Sequence, residues 1–148
     1  MESAIRNRRV KMLVVGCLLT GGASFTLTSC GSNDVLSKSR VEATLAEGVS
    51  EDLGGVSGVT AVCPGDLEAV KGKKLTCTVT YRQGGPSWDE VFMFTEDGIT
   101  SDGDFTYSNE PADSFGECAH KIADEARAQG VPPNADGAMI TGYCGSAG

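Results

Sequence analysis

A mainly apolar segment covers residues 12–27, directly behind a basic stretch at the start of the chain. The run is too short and too glycine-rich to span a hydrocarbon core of ~30 Å, which needs roughly 20 apolar residues. Three arginines and a lysine precede it, and no acidic residue lies between Glu2 and Asp34. A basic start followed by a short apolar segment is typical of a removable export signal, so we predict a signal peptide over residues 1–29.

Beyond this leader, apolar residues recur every four positions and predict a helix over residues 40–53. The residues of this stripe are Val41, Leu45, Val49 and Leu53. Ser39 and Glu42 have the spacing of a capping box at the helix start. The pair Gly54-Gly55 is expected to end the helix.

Alternating apolar and polar residues then predict a series of strands. We place them at residues 59–63, 75–82 and 88–95, with a final, interrupted strand at 99–107. Asp97-Gly98 is a hairpin signal before the last of these. A single turn of helix is expected at residues 66–70.

A second helical stripe follows, made of Phe115, Cys118, Ala119, Ile122, Ala123 and Ala126. Asp113 or Ser114 can cap its start, and Gly130 followed by two prolines ends it. Residues 139–143 are expected to form a further short element, held back by Cys144.

These patterns predict the α+β class, with an N-terminal helix packed on a three- to four-stranded antiparallel sheet and a disulfide-tied C-terminal helix. The predicted organisation is a signal peptide (1–29), a lipidated N-terminus and tether (30–38), a helix-plus-sheet domain (39–107) and a C-terminal helical extension (108–148).

The charge balance excludes one class of partner. From Gly31 onward there are eight Lys and Arg residues against nineteen Asp and Glu residues, which leaves a net charge of −11. Such a surface repels phosphate backbones, so we expect no nucleic-acid binding.

The residues that end the leader carry a motif of their own. Leu27-Thr28-Ser29-Cys30, followed by Gly31, resembles the lipobox of bacterial lipoproteins. The resemblance implies that Cys30 receives diacylglycerol and becomes the new N-terminus, and that acyl chains anchor the protein to the extracytoplasmic face of the cell membrane. Plain secretion and an uncleaved helical anchor are less favoured alternatives. Arg8-Arg9 matches a twin-arginine signal poorly, and the export route stays open.

Four cysteines remain once Cys17 in the leader and Cys30 are set aside: Cys63, Cys77, Cys118 and Cys144. An even number in an exported domain is typical of a disulfide framework, and four cysteines allow three pairings. We favour Cys63 with Cys77 and Cys118 with Cys144, because each pair lies within one local unit. The C-x2-4-C spacing of a zinc site is absent, and we predict no metal.

The segment around the first cysteine pair carries a family resemblance. Its Cys63-Pro64, Leu67, Gly72 and Cys77 resemble the core of domain-of-unknown-function family 4333, which is common in envelope lipoproteins of high-GC Gram-positive bacteria. The resemblance covers residues 37–107. It implies a disulfide between Cys63 and Cys77 and a helix packed on a curved sheet, and leaves residues 108–148 outside the pattern.

Candidate catalytic and metal residues have simpler interpretations. His120 is the single histidine and is expected on a solvent-exposed helix face, with no nucleophile elbow to serve. Asp97, Asp102 and Asp104 lack the full calcium-loop pattern and are expected in turns. Asp89, Glu90 and Glu96 have no spacing that demands glycosidase chemistry. We therefore predict no catalytic residues and no cofactor.

Two aromatic residues, Trp88 and Tyr81, are proposed as a partner surface, because Trp88 follows a turn and precedes two acids. The favoured function is a non-enzymatic binding or interaction module of the cell envelope, meeting another envelope protein or a peptide. The alternative is a small enzyme acting on the cell wall, or an inhibitor or accessory of such an enzyme.

Overall fold

The computed structural model describes residues 8–10, 34–82, 85–131, 140 and 142–145 of the chain. The predicted lipid site at Cys30, the apolar run and most of the tether lie outside these residues, as do Cys17 and the two prolines after the second helix.

The described elements alternate short strands with two helices of equal length. In chain order they are β1 (Arg8–Val10), β2 (Val35–Leu36), α1 (Lys38–Asp52), β3 (Thr60–Val62), β4 (Leu67–Glu68), β5 (Lys74–Thr80), β6 (Ser87–Phe94), β7 (Phe105–Pro111) and α2 (Ser114–Ala128). Ile140 and residues 142–144 are also helical.

Antiparallel pairing organises the strands into two sheets. Within the described residues the main sheet has the order β1-β7-β6-β5-β3, and β2 pairs with β4 in a separate two-stranded sheet. The mixed α/β class with an antiparallel sheet is as predicted. The main sheet exceeds the expected three to four strands because Arg8–Val10, which lies in the predicted leader, pairs with β7 at one edge.

The helix α1 begins earlier than its predicted capping box. Ser37 is the N-cap, and its carbonyl accepts from the Val41 amide at 3.0 Å, without a side-chain cap. The capping box at Ser39 is therefore wrong, because Ser39 lies inside the helix. Glu42 has a different task, since its Oε1 accepts from the backbone amide of Cys63 at 2.9 Å and ties the end of β3 to α1.

A glycine sets how closely α1 approaches the sheet. A Cβ on Gly48 would lie only 2.7 Å from the Tyr107 hydroxyl oxygen on β7. Because residue 48 has no side chain, the hydroxyl fits against the helix and donates to the backbone carbonyl of Thr44 at 3.3 Å. The helix thus lies directly over the aromatic core, where the Phe92 and Tyr107 rings stack with centroids 4.6 Å apart.

Two other predictions of secondary structure are wrong. Residues 66–70 contain the strand β4 rather than a turn of helix, because Leu36 and Leu67 pair and become buried together. The last strand begins at Phe105 rather than at residue 99, because Gly98 and Gly103 both adopt positive φ in consecutive turns. β7 therefore continues to Pro111, across the predicted domain boundary after residue 107, and leads directly into α2.

Both favoured disulfides are present. Cys63–Cys77 joins the end of β3 to β5, and Cys118–Cys144 joins α2 to the helical residues 142–144. Closing a loop of this size contributes roughly 3 kcal/mol in the chain-entropy model. Such links supplement the limited core of a small domain.

The start of α2 packs tightly against the sheet. Asp113 is the N-cap, and its side chain accepts from the Gly116 amide at 2.8 Å. A Cβ on Gly116 would lie 2.6 Å from Trp88 Cδ1 and 2.8 Å from Pro111 Cβ. The absence of a side chain at residue 116 therefore allows the helix to seat on β6 and β7.

We expect Gly116→Ala to lower the free energy of unfolding by about 1–3 kcal/mol, because overpacking outweighs the helix-propensity gain of about 1 kcal/mol. Gly142→Ala is the matched control, since a Cβ there meets nothing within 4 Å. Urea denaturation of both variants checks this. Equal stability of the two variants would contradict the close approach of α2.

Candidate functional site

A carboxylate lies at the centre of the interface between α2 and the sheet. Glu90 is on the buried face of β6, in line with Trp88, Phe92 and Phe94, and its exposed fraction is 0%. Removing a charged carboxylate from water costs several kcal/mol unless hydrogen bonds and an opposite charge compensate. The surroundings of Glu90 therefore determine whether this arrangement is stable.

Two donors meet one oxygen of this carboxylate. The Trp88 indole donates from Nε1 to Glu90 Oε1 at 2.9 Å, and His120 Nε2 on α2 lies 2.6 Å from the same oxygen. The other oxygen, Oε2, is buried and has no hydrogen-bond partner among the described residues. The Trp88–Glu90–His120 cluster thus connects α2 to β6 by a polar contact inside an aromatic core.

The charge of Glu90 controls the protonation of His120. Burial disfavours the imidazolium and alone would lower its pKa. The hydrogen bond to Glu90 and the charge of that carboxylate outweigh burial, with Asp52 and Asp124 adding to the effect, so the pKa of His120 lies above its usual 6.5. The cluster therefore binds a proton more tightly when the protein is folded than when it is unfolded.

Beside this cluster, α2 and the sheet enclose a groove of about 840 Å³. His120 forms part of its wall, and acidic residues outnumber basic ones along the lining. The acids are Asp52, Glu110, Glu117, Asp124 and Glu125, against Lys74 and Lys121. Such a lining favours cationic ligands. The described residues contain no group of three or more side chains arranged to hold a metal ion.

A second acidic feature lies at the C-terminal end of α1, where Glu51 precedes Asp52, a residue that lines the groove. The last turn of α1 contains no basic residue, so these carboxylates add to the negative end of the helix dipole. Two arginines from elsewhere compensate. Arg8 Nη1 lies 2.5 Å from Glu51 Oε2 while its Nη2 donates to Asp52 Oδ1, and Arg127 Nη2 donates to the carbonyl of Asp52.

The hydroxyl of Tyr107 lies near the same acidic end. Burial, together with Glu51, Asp52 and Glu47, outweighs the opposing influence of Arg8 and raises the pKa of Tyr107 to about 12. The hydroxyl therefore stays protonated at neutral pH and keeps donating to the Thr44 carbonyl.

The predicted partner surface at Trp88 and Tyr81 is wrong. Their exposed fractions are 2% and 3%, because Trp88 on β6 and Tyr81, directly after β5, both project into the core. Trp88 packs on Phe115 of α2, with ring centroids 6.0 Å apart. The hydroxyl of Tyr81 is buried with no hydrogen-bond partner among the described residues.

The expectation for His120 is also wrong, since its side chain is 19% exposed and bonded to Glu90 rather than free in solvent. A signal for this pair exists in the sequence. Glu90 has the same strand parity as Trp88, Phe92 and Phe94, and a lone acid in a buried row requires a donor.

Of the remaining acidic candidates, Glu96, Asp97 and Asp104 line one cavity of about 370 Å³, whereas Asp89 and Asp102 do not line it. Asp89 points away from Glu90 and accepts from the Thr78 hydroxyl at 2.9 Å, while Glu96 accepts from the Thr106 hydroxyl at 2.9 Å. Asp97 accepts from the Lys71 amide at 2.7 Å, which is a turn-stabilising role. Asp102 lies in the turn that closes when the Gly103 amide donates to the Thr100 carbonyl.

The fold and site define a small α/β domain stapled by two disulfides, with a buried carboxylate–histidine pair and acidic grooves. The family model DUF4333, a domain of unknown function, matches residues 12–89, more than half of the chain, and the chain belongs to this family. No curated protein and no solved structure matches the chain. In the described part of the chain, neither helix has both the length and the apolar character that crossing a bilayer requires.

The match differs in extent from the resemblance noted in the sequence. It begins at Met12, inside the apolar run of the predicted leader, and ends at Asp89 within β6. It therefore includes the predicted lipobox and the Cys63–Cys77 disulfide. β7, α2 and the Glu90–His120 pair lie beyond the matched residues.

We expect Tyr81→Phe to leave the free energy of unfolding unchanged or to raise it by up to about 1 kcal/mol, because the mutation removes a buried, unpaired hydroxyl. Tyr107→Phe is the matched control and should cost about 1 kcal/mol, since it loses the bond to the Thr44 carbonyl. Urea denaturation compares the two, and an equal loss in both variants would contradict the difference in pairing.

The raised pKa of His120 predicts a pH dependence of stability. A raised folded-state pKa contributes stability that is complete below pH 6.5 and is lost as the pH rises through the folded value. His120→Gln keeps a donor but removes the titration. The wild-type free energy of unfolding should therefore fall, relative to this variant, as the pH rises above 6.5.

Lys121→Gln is the control for this measurement, since it removes a positive charge from the neighbouring, exposed position of the same groove. It should keep the wild-type slope. Denaturation at a series of pH values gives the slopes, and a wild-type slope that His120→Gln does not change would exclude His120 as its source.

Proposed function

We propose that the protein is a lipoprotein, anchored through acyl chains on Cys30 to the extracytoplasmic face of the cell membrane. In this proposal its folded part is a non-enzymatic binding or interaction module of the cell envelope. The observation that carries it is the motif Leu27-Thr28-Ser29-Cys30 behind a basic and apolar leader. The family match supports it, because the matched region runs through this motif.

One further observation agrees with an address outside the cytoplasm. The domain has two disulfides, which form and persist in oxidising compartments. The proposed tether between Cys30 and α1 is short and polar, so the helix-on-sheet domain and its disulfide-tied second helix would sit close to the membrane surface.

The contacts of the titratable groups favour binding over catalysis. Glu90 is fully buried and shares its Oε1 with Trp88 and His120, so this pair holds α2 on the sheet. The acidic groove beside it offers charge that can attract a cationic ligand. A small enzyme acting on the cell wall, or an enzyme inhibitor or accessory, is the second candidate, and the imidazole of His120 on the groove wall is the observation that favours it.

The lipid anchor is tested by expressing the full chain in a bacterium with lipoprotein processing and measuring the intact mass and N-terminus of the purified protein. We expect a mature protein that begins at Cys30, carries the mass of a diacylglyceryl group and partitions into detergent. Cys30→Ala should lose the lipid mass and the detergent partitioning.

Cys17→Ala is the matched control, since it removes the other cysteine that precedes the folded domain, and it should behave as the native protein. A mature protein that begins elsewhere, or lipid that persists in Cys30→Ala, would overturn the proposed anchor.

A further inference from the structure

The structure assigns a peptide-binding role to the outer edge of β7: we propose that this edge binds an extended, arginine-containing segment of another envelope protein. The arginine would lie against Glu51 and Asp52 at the end of α1. This inference rests on the proposed function, because it requires that the leader be removed from the mature protein.

The strand β1 shows what this edge accepts. Arg8 pairs with Tyr107, Arg9 with Thr106 and Val10 with Phe105, in antiparallel register. Arg8 and Val10 share one face of the strand, since alternate residues point the same way. On that face Arg8 reaches Glu51 and Asp52, and Val10 packs against the hydrophobic core. The accepted pattern is therefore arginine, any residue, then an aliphatic residue.

In the proposed topology β1 cannot occupy this edge in the mature protein. Arg8–Val10 lies in the basic region of the leader, which stays on the cytoplasmic side of the membrane while the domain is exported. A hydrocarbon layer of ~30 Å then separates the two. Cleavage of the leader before Cys30 also breaks the covalent connection between Arg8–Val10 and the folded domain. The edge that accepts Arg8–Val10 would thus be open to a different strand.

Electrostatics select a cationic occupant for one face of this site. Glu51 and Asp52 stand at the negative end of α1 without a basic residue in the last turn. Asn109 donates to Asp52 Oδ2 at 3.1 Å, and this bond helps to orient the carboxylate. An arriving guanidinium meets the largely buried carboxylate of Asp52, where a charge-assisted hydrogen bond is strong, and the exposed carboxylate of Glu51, which orients it.

The opposite face of the site is acidic too. Arg9 lines a cavity of about 370 Å³ together with Glu96, Asp97 and Asp104. A second positive residue at the middle position of the bound segment would therefore also be favoured. Acidic groups on both faces disfavour pairing with a second copy of this chain, whose exported part carries a net charge of −11.

The edge itself has the properties of a pairing surface. Phe105, Thr106 and Tyr107 have high β propensity and include no charged residue or proline, the usual means of blocking a free edge. Partner recognition by strand addition uses such an edge, with main-chain hydrogen bonds for affinity and side-chain pockets for specificity.

The test uses the lipidated protein purified from membranes in neutral detergent, whose N-terminus is first determined by mass spectrometry. The probe is a fluorescent, end-blocked peptide with the sequence of residues 6–11, Arg-Asn-Arg-Arg-Val-Lys. We expect saturable binding by fluorescence anisotropy and slower amide exchange over residues 105–107. A peptide with the Arg8→Ala change should bind about tenfold more weakly or worse, as the loss of a charge-assisted pair predicts.

Matched controls separate site recognition from general charge attraction. The peptide change Arg6→Ala removes the same charge outside the paired segment and should keep most of the affinity. In the protein, Glu51→Gln should weaken binding, while Glu68→Gln, a similarly exposed carboxylate on β4 of the separate two-stranded sheet, should not. The Glu51 side chain is 65% exposed, so its replacement leaves the fold intact.

The outcomes distinguish the two proposals. If the purified protein still contains residues 8–10, the proposed signal removal fails and this inference with it. If the protein begins at Cys30 but the Arg8→Ala and Arg6→Ala peptides bind equally, the inference alone is overturned. A dimer joined through β7 that excludes the peptide would also overturn it.

Discussion

The buried carboxylate of Glu90 is the constraint on which the arrangement of this domain depends. It lies in a row of aromatic side chains on β6, where water cannot solvate it. The energetic cost of burying this carboxylate is offset because the His120 imidazole on α2 contacts the same oxygen as the Trp88 indole. The position of α2 follows from this contact, and Gly116 gives the helix the space to reach it.

The acidic residues of the domain lie in distinct surroundings, which the net charge alone does not show. Inside the core, the charge of Glu90 is compensated by His120. Glu51 and Asp52, in contrast, lie at the C-terminal end of α1, where the helix dipole is also negative. Arg127 satisfies the backbone carbonyl of Asp52 and thereby connects the ends of the two helices. The carboxylates themselves contact Arg8 of the edge strand β1, so negative charge lies beside the strand that an extended segment would contact.

The sequence predicts those elements whose periodicity is long and clear. The stripes of α1 and α2, the alternation in β5 and the local cysteine pairs all reappear in the structure. Two-residue strands such as β2 and β4 are too short to show a period, and β1 is not predicted because its three residues lie in a basic stretch that we interpret as part of an export signal. The sequence does not predict the burial of Glu90 and His120, because a single acidic residue or histidine is expected to be exposed. Their burial is explained only by the contact that forms between the distant elements β6 and α2.

The Cys63–Cys77 disulfide makes the two sides of the main sheet unequal. It clamps β3 to β5 at one border, and Glu42 ties the same corner to α1, so that border is closed to strand exchange. At the opposite border β1 is attached to β7 without a covalent bond between the two strands. The strand at the β7 border can therefore be exchanged without breaking a disulfide, which gives the molecule a fixed side and a replaceable one.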